Sequence, residues 1–344
     1  MRDKIHMKSR SSNIELLRIV AMLMIVLHHV ITHGIGDDAG KDAVVIQYLD
    51  CFFIFGVNLF VLISGYFGIR LTWRSFLNLM WIIAFYKLFH LAADTFVLGI
   101  SHPWYEWIAK PLLGFVSGGG WFVDVYVLLM IVSPMLNKLL QALDKHGYIL
   151  ALATLLVLDS GYGYTLGMHF DRYGYGLLHF ITLYFIGHGI KNYFPLSQFA
   201  AFKVGGGFIV IMLLYLFMAF ISKKGLLAVP LYSYSNPLVI ISSACIFVLF
   251  TKMNIHSSKA INFMAASMFP VYLIHDAGKV GRMYYSQINT WWNTLPFYLF
   301  AFYTAILIII LFVFTLSFDQ LRKQIWKRLV LIYENSIYRK HIHA

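Results

Sequence analysis

The chain has 344 residues, of which 60% are hydrophobic and 12% charged, with a mean hydropathy of +0.73. That balance is too apolar for a soluble globular domain and identifies a polytopic membrane protein. The formal charge of +12 is no argument for a nucleic-acid partner, because basic residues of membrane proteins collect on cytoplasmic loops. Cys51 and Cys245 both lie in apolar runs, so neither a disulfide framework nor a metal-type cysteine spacing is present.

In chain order, apolar runs of membrane-crossing length predict about ten helices, at 14–32, 44–67, 76–98, 121–139, 148–162, 174–191, 204–221, 237–250, 260–275 and 292–318. The first is too long for a signal-peptide core and has no small-residue cleavage site after it, so it is expected to remain as a membrane helix. The predicted fold class is therefore all-α, a polytopic transmembrane bundle, with an integral membrane domain over 1–318 and a basic tail over 319–344. With the helices alternating, eighteen of the 27 Lys and Arg residues fall on one side: Arg2, Lys4, Lys8 and Arg10, the loops at Arg70/Arg74, Lys138/Lys145, Lys191/Lys203 and Lys252/Lys259, and six in the tail. Seven fall on the other, at Lys41, Lys110, Arg172, Lys223, Lys224, Lys279 and Arg282. Both termini are thus expected in the cytoplasm. The tail has apolar residues at helical spacing among its charges. It reads either as a helix along the inner membrane surface or as a solvated tail behind a stop-transfer anchor.

The run from Asn13 to His33 carries Glu15 and Arg18 at one end and His28 and His29 near the other. An ionisable group in a membrane helix is a functional-site hypothesis by default. Arg18 and His29 are eleven residues apart, which is about three helical turns, so they share a face about 16 Å apart along the axis. His28 is rotated by about 100° from that face, and His28→Ala is expected to be the milder change. The alternating topology also places Asp50, Lys87, His90, Asp94, Asp124, His275 and Asp276 with His29 in the outer leaflet. These groups line a watery cavity, or, for Lys87, His90 and Asp94 on one face, form an ion-pair stripe between helices. Arg70 and Arg74 are either ordinary inner-side anchors or, with Arg18, a phosphate-binding group. His33, His102, His179 and His188 read as structural or interfacial.

Four segments carry a resemblance. Arg18 and His29 match an R-x10-H pattern, and Gly56–Phe67 is similar to G-V-x-x-F-F-x-x-S-G-[FY]. Trp121–Leu139 is a W-F segment with S-P-x-L-N at Ser133, Pro134, Leu136 and Asn137, and 267–276 has a Y-x-x-H ending. In this order they resemble the membrane-bound acyltransferase type 3 family. The resemblance implies an enzyme of about ten helices in the plasma membrane of a bacterium. It would take an acyl group, usually acetyl, from cytoplasmic acyl-CoA and deliver it to a hydroxyl, typically of a cell-surface or lipid-linked glycan. It implies Arg18 and His29 as the essential pair and places the loop with Arg70 and Arg74 at the CoA end. That loop is R-L-T-W-R rather than the family's usual R-x-x-R. Many relatives carry a fused extracytoplasmic hydrolase-like domain; none follows the tenth helix here, so direct delivery or a separate partner is expected.

The chemistry is consistent with that assignment. Hydroxyl attack on a thioester needs a general base, and an imidazole titrates near neutrality. His29 is the expected base or acyl carrier, and Arg18, Arg70 and Arg74 are expected to hold CoA phosphates. Asp50, Asp124, His275 and Asp276 are candidates to orient His29 or the acceptor, with Trp121 and Phe122 stacking on a sugar ring. Acyl-CoA enters as co-substrate, with no tightly bound cofactor and no metal; membrane lipid and the glycan are the partners. The rival is a transporter or lipid-linked glycan flippase, against which stand the lack of evident broken helices and of a half-to-half repeat.

Overall fold

The computed structural model describes residues 11–36, 43–113, 120–167, 169–194, 200–224, 226 and 230–342. Arg2, Lys4, Lys8, Arg10 and Lys41 of the charge tally lie outside these residues, as do the side chains of Arg339 and Lys340. Every regular element among the described residues is helical: α1 (Ser12–His29), α2 (Ala43–Asp50), α3 (Gly56–Phe67), α4 (Trp73–Ala92), α5 (Glu106–Leu112), α6 (Trp121–Ala142), α7 (Lys145–Leu156), α8 (Leu177–Asn192), α9 (Ala201–Lys223), α10 (Pro237–Lys252), α11 (Lys259–Ala265), α12 (Met268–His275), α13 (Gly278–Thr294) and α14 (Phe297–Ile342). Wider π-type turns extend α1 through Val30–Ile35, α4 through Ala93–Val97 and α7 through Val157–Thr165.

Five segments are long and apolar enough to cross a bilayer: Ser12–Ile35, Trp73–Val97, Trp121–Ala142, Ala201–Lys223 and Phe297–Glu334. Gly56–Phe67 and Pro237–Lys252 are apolar but shorter. The remaining expected spans are short or divided. The run at 44–67 is α2 and α3 separated by turns at 51–55, where Phe53 and Ile54 both donate to the Asp50 carbonyl. The run at 260–275 is α11 and α12, interrupted at Ala266 and Ser267. Broken helices are thus present where the sequence showed none. Hydropathy is blind to these breaks because such short turns hardly lower it. Irregular backbone at that depth is tolerated where protein covers it, and Cys51, Ile54, Phe55 and Ser267 are all almost completely buried.

The chain divides into two compact units, Met1–Arg70 with Val125–Met268, and Leu71–Asp124 with Phe269–Ala344. The first is centred on α3. Gly65 of α3 and Gly187 of α8 let the two backbones touch: a Cβ on Gly187 would collide with Leu62 and Tyr66 backbone atoms, and one on Gly65 with Tyr184. Small residues permit such approach where apolar burial alone drives little helix association. Leu17, Leu59, Leu62, Phe180, Leu183 and Phe247 are fully buried around this contact. α10 runs back along α1. At one end Asn13 donates to the carbonyl of Phe250 (3.0 Å) and Ser12 to Asn262 (3.1 Å); at the other the ring of Tyr234 lies 6.4 Å from that of His28.

In the second unit α4 and α14 interlock through Phe85, Phe89, Phe314 and Phe318, with ring centroids 5.1 to 6.0 Å apart. The helix α13 occupies residues expected to form a loop; Gly281, Tyr285 and Ile288 give it a buried stripe at helical spacing. α14 continues without a break for 46 residues, through the expected boundary at 318. Asp319 pairs with Arg322 (2.5 Å) and Lys323 (2.9 Å) and accepts from the hydroxyl of Tyr86 (3.2 Å), while Trp326 stacks on Trp81 at 6.3 Å. The first turns of the tail are therefore packed helix rather than a surface-lying or solvated segment.

Candidate active site

Arg18 and His29 stand on one uninterrupted helix, α1, which preserves the face and the spacing of about 16 Å expected for them. Arg18 is half-buried and its Nη1 donates to Glu15 Oε1 at 2.6 Å, one turn away, leaving further donors of the guanidinium fork for a ligand. Arg70 follows α3 in a loop whose backbone is held by two neighbours. Asn137 Nδ2 donates to the carbonyl of Ile69 (2.8 Å), the amide of Ile69 donates to Tyr184 Oη (2.9 Å), and Tyr184 Oη donates to Asn137 Oδ1 (2.6 Å). Asn137 is the last residue of the S-P-x-L-N segment, so that motif fixes the arginine loop. Arg74 belongs to the other unit, in the first turn of α4 behind the Thr72 cap, and both arginines are exposed.

At its far end α1 opens into the π-type turn, a local form that recurs at functional sites. There His29 stacks on His33, centroids 4.7 Å apart and planes 18° apart, and the ring of His28 lies 5.7 Å from that of His29. Both His28 and His29 are buried. Asp50 contacts His28: Asp50 Oδ1 is 2.7 Å from His28 Nδ1, with Asp50 1% exposed.

A second buried network, assembled from residues far apart in sequence, lies in the same unit. His179 Nδ1 is 2.8 Å from Asp159 Oδ2 and its Nε2 is 3.1 Å from Asn58 Oδ1. Asn58 Nδ2 donates to the carbonyl of Tyr234 (3.0 Å), and Asp171 accepts from the backbone amides of Gly176 and His179. His179 is fully buried in this network, which reaches through Asn58 to the loop that bears Tyr234.

The remaining candidates belong to the second unit and converge on Tyr272, the tyrosine of Y-x-x-H. Phe122 packs on it at 5.5 Å and Trp121 on Phe122 at 6.1 Å, and the charges of Asp276 and Asp124 act on it. A Cβ on Gly120 would meet the Tyr272 hydroxyl at 2.5 Å, which ties that glycine to the tyrosine. Lys87 is the electrostatic neighbour of Asp124. His275 is buried, with Nδ1 donating to the carbonyl of Val271 at 2.7 Å. The expected Lys87–His90–Asp94 stripe is divided among partners: His90 Nε2 donates to the carbonyl of Leu273 (2.7 Å) and Asp94 contacts His102 (3.2 Å). His102 also meets Glu106, whose carboxyl is held below its ordinary range by Lys110 and then by His102.

Tyr234, Asn137, Tyr184 and the Asp50–His28 pair were not legible as site elements. Asn137 carried a sequence marker in its place in S-P-x-L-N, and Asp50 and His28 stood out singly as ionisable groups in apolar runs, but nothing in the sequence paired them.

The elements define a class: an all-helical membrane protein whose first helix carries a half-buried arginine toward one end and adjacent buried histidines at the other. A family model described as an acyltransferase domain matches residues 11–316. The chain belongs to this acyltransferase 3 family and is a membrane acyltransferase. No match was found among curated proteins or among solved structures.

Proposed function

We propose that the protein transfers an acyl group, acetyl in the first instance, from cytoplasmic acyl-CoA to a hydroxyl of a cell-surface or lipid-linked glycan at the plasma membrane of a bacterium. One observation carries the reading: Arg18 and His29 share the continuous helix α1 with about 16 Å between them, a span suited to the pantetheine arm of CoA. Arg18, with Arg70 and Arg74, binds the CoA phosphates. The thioester then reaches the His29 end, where the acceptor hydroxyl arrives from the opposite side. His29 takes the hydroxyl proton as the oxygen attacks the thioester carbonyl carbon; the carbon–sulfur bond breaks and the CoA thiolate leaves, to be protonated in turn. Stepwise transfer through an acyl group on His29 gives the same products. Acyl-CoA is a co-substrate. Trp121, Asp124, His275 and Asp276 remain candidates for holding the acceptor.

His29→Ala should lower O-acetyl content of the surface glycan, measured by NMR, by about a hundredfold or more, the usual loss when a general base is removed. Normal acetylation with the variant at wild-type level in the membrane would exclude His29 from the reaction.

The divided α2/α3 and α11/α12 segments favour one other reading, since broken helices line the paths of transporters. Acyl-CoA turnover by the purified protein separates the two: a transporter moves its cargo without it.

A further inference from the structure

Residues 169–176 belong to the unit that holds His28 and His29, and no step of the reaction above uses them. Tyr173 in this segment has φ +62°, alone among the described non-glycine residues in the left-handed region. Such strain persists only where the surroundings over-determine it, and it concentrates at ligand sites. Here the Tyr173 carbonyl accepts from the Tyr234 amide and from the Ser233 hydroxyl, both at 3.1 Å, and Ser160 ties down the neighbouring Ser235 carbonyl at 2.9 Å. The Asp159–His179–Asn58 network holds Tyr234 from behind.

The rings of this arrangement form a series of contacts that begins at the surface and ends in the interior. The guanidinium of Arg172 lies 4.9 Å over the ring of Tyr173. Tyr175, 44% exposed, meets buried Tyr234 at 5.2 Å; Tyr234 meets His28 at 6.4 Å; and His28 meets His29 at 5.7 Å. One exposed ring, that of Tyr175, is thus linked through the buried rings of Tyr234 and His28 to the candidate base, at the end of α1 away from Arg18.

We propose that Arg172, Tyr173 and Tyr175 form the acceptor subsite, and that it takes a sugar ring bearing a carboxylate. This rests on the acyl-transfer reading and adds the acceptor class to it. The tyrosine faces suit the C–H surface of a pyranose. A single exposed guanidinium matches a planar monoanionic carboxylate through its fork, whereas a phosphate dianion calls for several cations. The contact with Tyr234, itself held by the Asn58 and Tyr173 hydrogen bonds, fixes the ring of Tyr175.

The test uses the full-length protein in proteoliposomes, with acetyl-CoA as donor. The acceptor is the surface polysaccharide of the source strain, de-O-acetylated by mild alkali and supplied in native and carboxyl-reduced forms. Tyr175→Ala should raise KM for the native polysaccharide about tenfold, the equivalent of one lost ring contact, with KM for acetyl-CoA unchanged and Tyr175→Phe close to wild type. Arg172→Gln should raise KM for the native form alone and leave the carboxyl-reduced form unaffected. Acceptor KM within twofold of wild type in both Tyr175→Ala and Arg172→Gln overturns the subsite while acyl transfer stands. Equal use of native and carboxyl-reduced acceptor by the wild type overturns the acidic class. A wild-type protein that acetylates neither form overturns the acyl-transfer reading, and the subsite with it.

Discussion

His28 and His29 are neighbours in sequence with different surroundings. His29 continues the face of Arg18 and stacks on His33, whereas His28 bonds the buried carboxylate of Asp50 at 2.7 Å. Rotation about the helix axis separated the two rings correctly, but it gave no sign of what another helix would bring to the second. The expectation that His28→Ala is mild therefore changes. Removing the ring strands Asp50 without its partner in a site 1% exposed, a loss of about 3–5 kcal/mol when a buried pair is broken from one side. Thermal unfolding in detergent should show His28→Ala well below wild type, with part of the loss recovered by adding Asp50→Asn. His29→Ala should unfold near wild type while losing transfer. A His28→Ala protein as stable as wild type would remove the pair from the fold's support.

At the scale of elements, α3 and α8 meet backbone to backbone, and Gly187 is the position with least tolerance. A methyl group there runs into the carbonyl of Leu62 and the amide of Tyr66. Gly187→Ala should cost about 1–3 kcal/mol through forced separation of the helices, read as a lower melting temperature. Gly205, Gly206 and Gly207 of α9 have open space around them, so Gly206→Ala is the control and should be neutral or stabilising. Apolar runs in the sequence found the helical content and the course of α1, α4, α6 and α9. They missed the breaks at 51–55 and at Ala266–Ser267, because these short turns hardly lower the local hydropathy. They also missed α13, whose mixed composition hid a stripe of only three buried positions. The polar partnerships were the least legible part: Asp159 and His179 are twenty residues apart, and Asn58 and Tyr234 far more, and no spacing rule joins them.

Across the whole molecule, the family match over residues 11–316 takes in helices of both compact units and stops short of Asp319. The segment beyond it is nonetheless part of the packed structure, since Asp319 is fully buried and Arg322 is 4% exposed. Asp319→Ala leaves that arginine uncompensated and should destabilise the protein by about 3–5 kcal/mol. Truncation after Arg328 keeps Asp319, Arg322 and the Trp81–Trp326 stack and should melt near the full chain, whereas truncation after Phe318 should not. Equal melting of the two truncations would show that the tail contributes nothing to stability.

The unbroken course of α14 also has a practical side. Forty-six residues at 1.5 Å each make a rod of about 69 Å, and a hydrocarbon layer of about 30 Å absorbs no more than about 39 Å of it at the steepest usual tilt. Roughly 30 Å of helix must lie outside the hydrocarbon layer. A rigid partner domain fused in helical register at its end would inherit a fixed orientation, giving single-particle imaging an alignment marker.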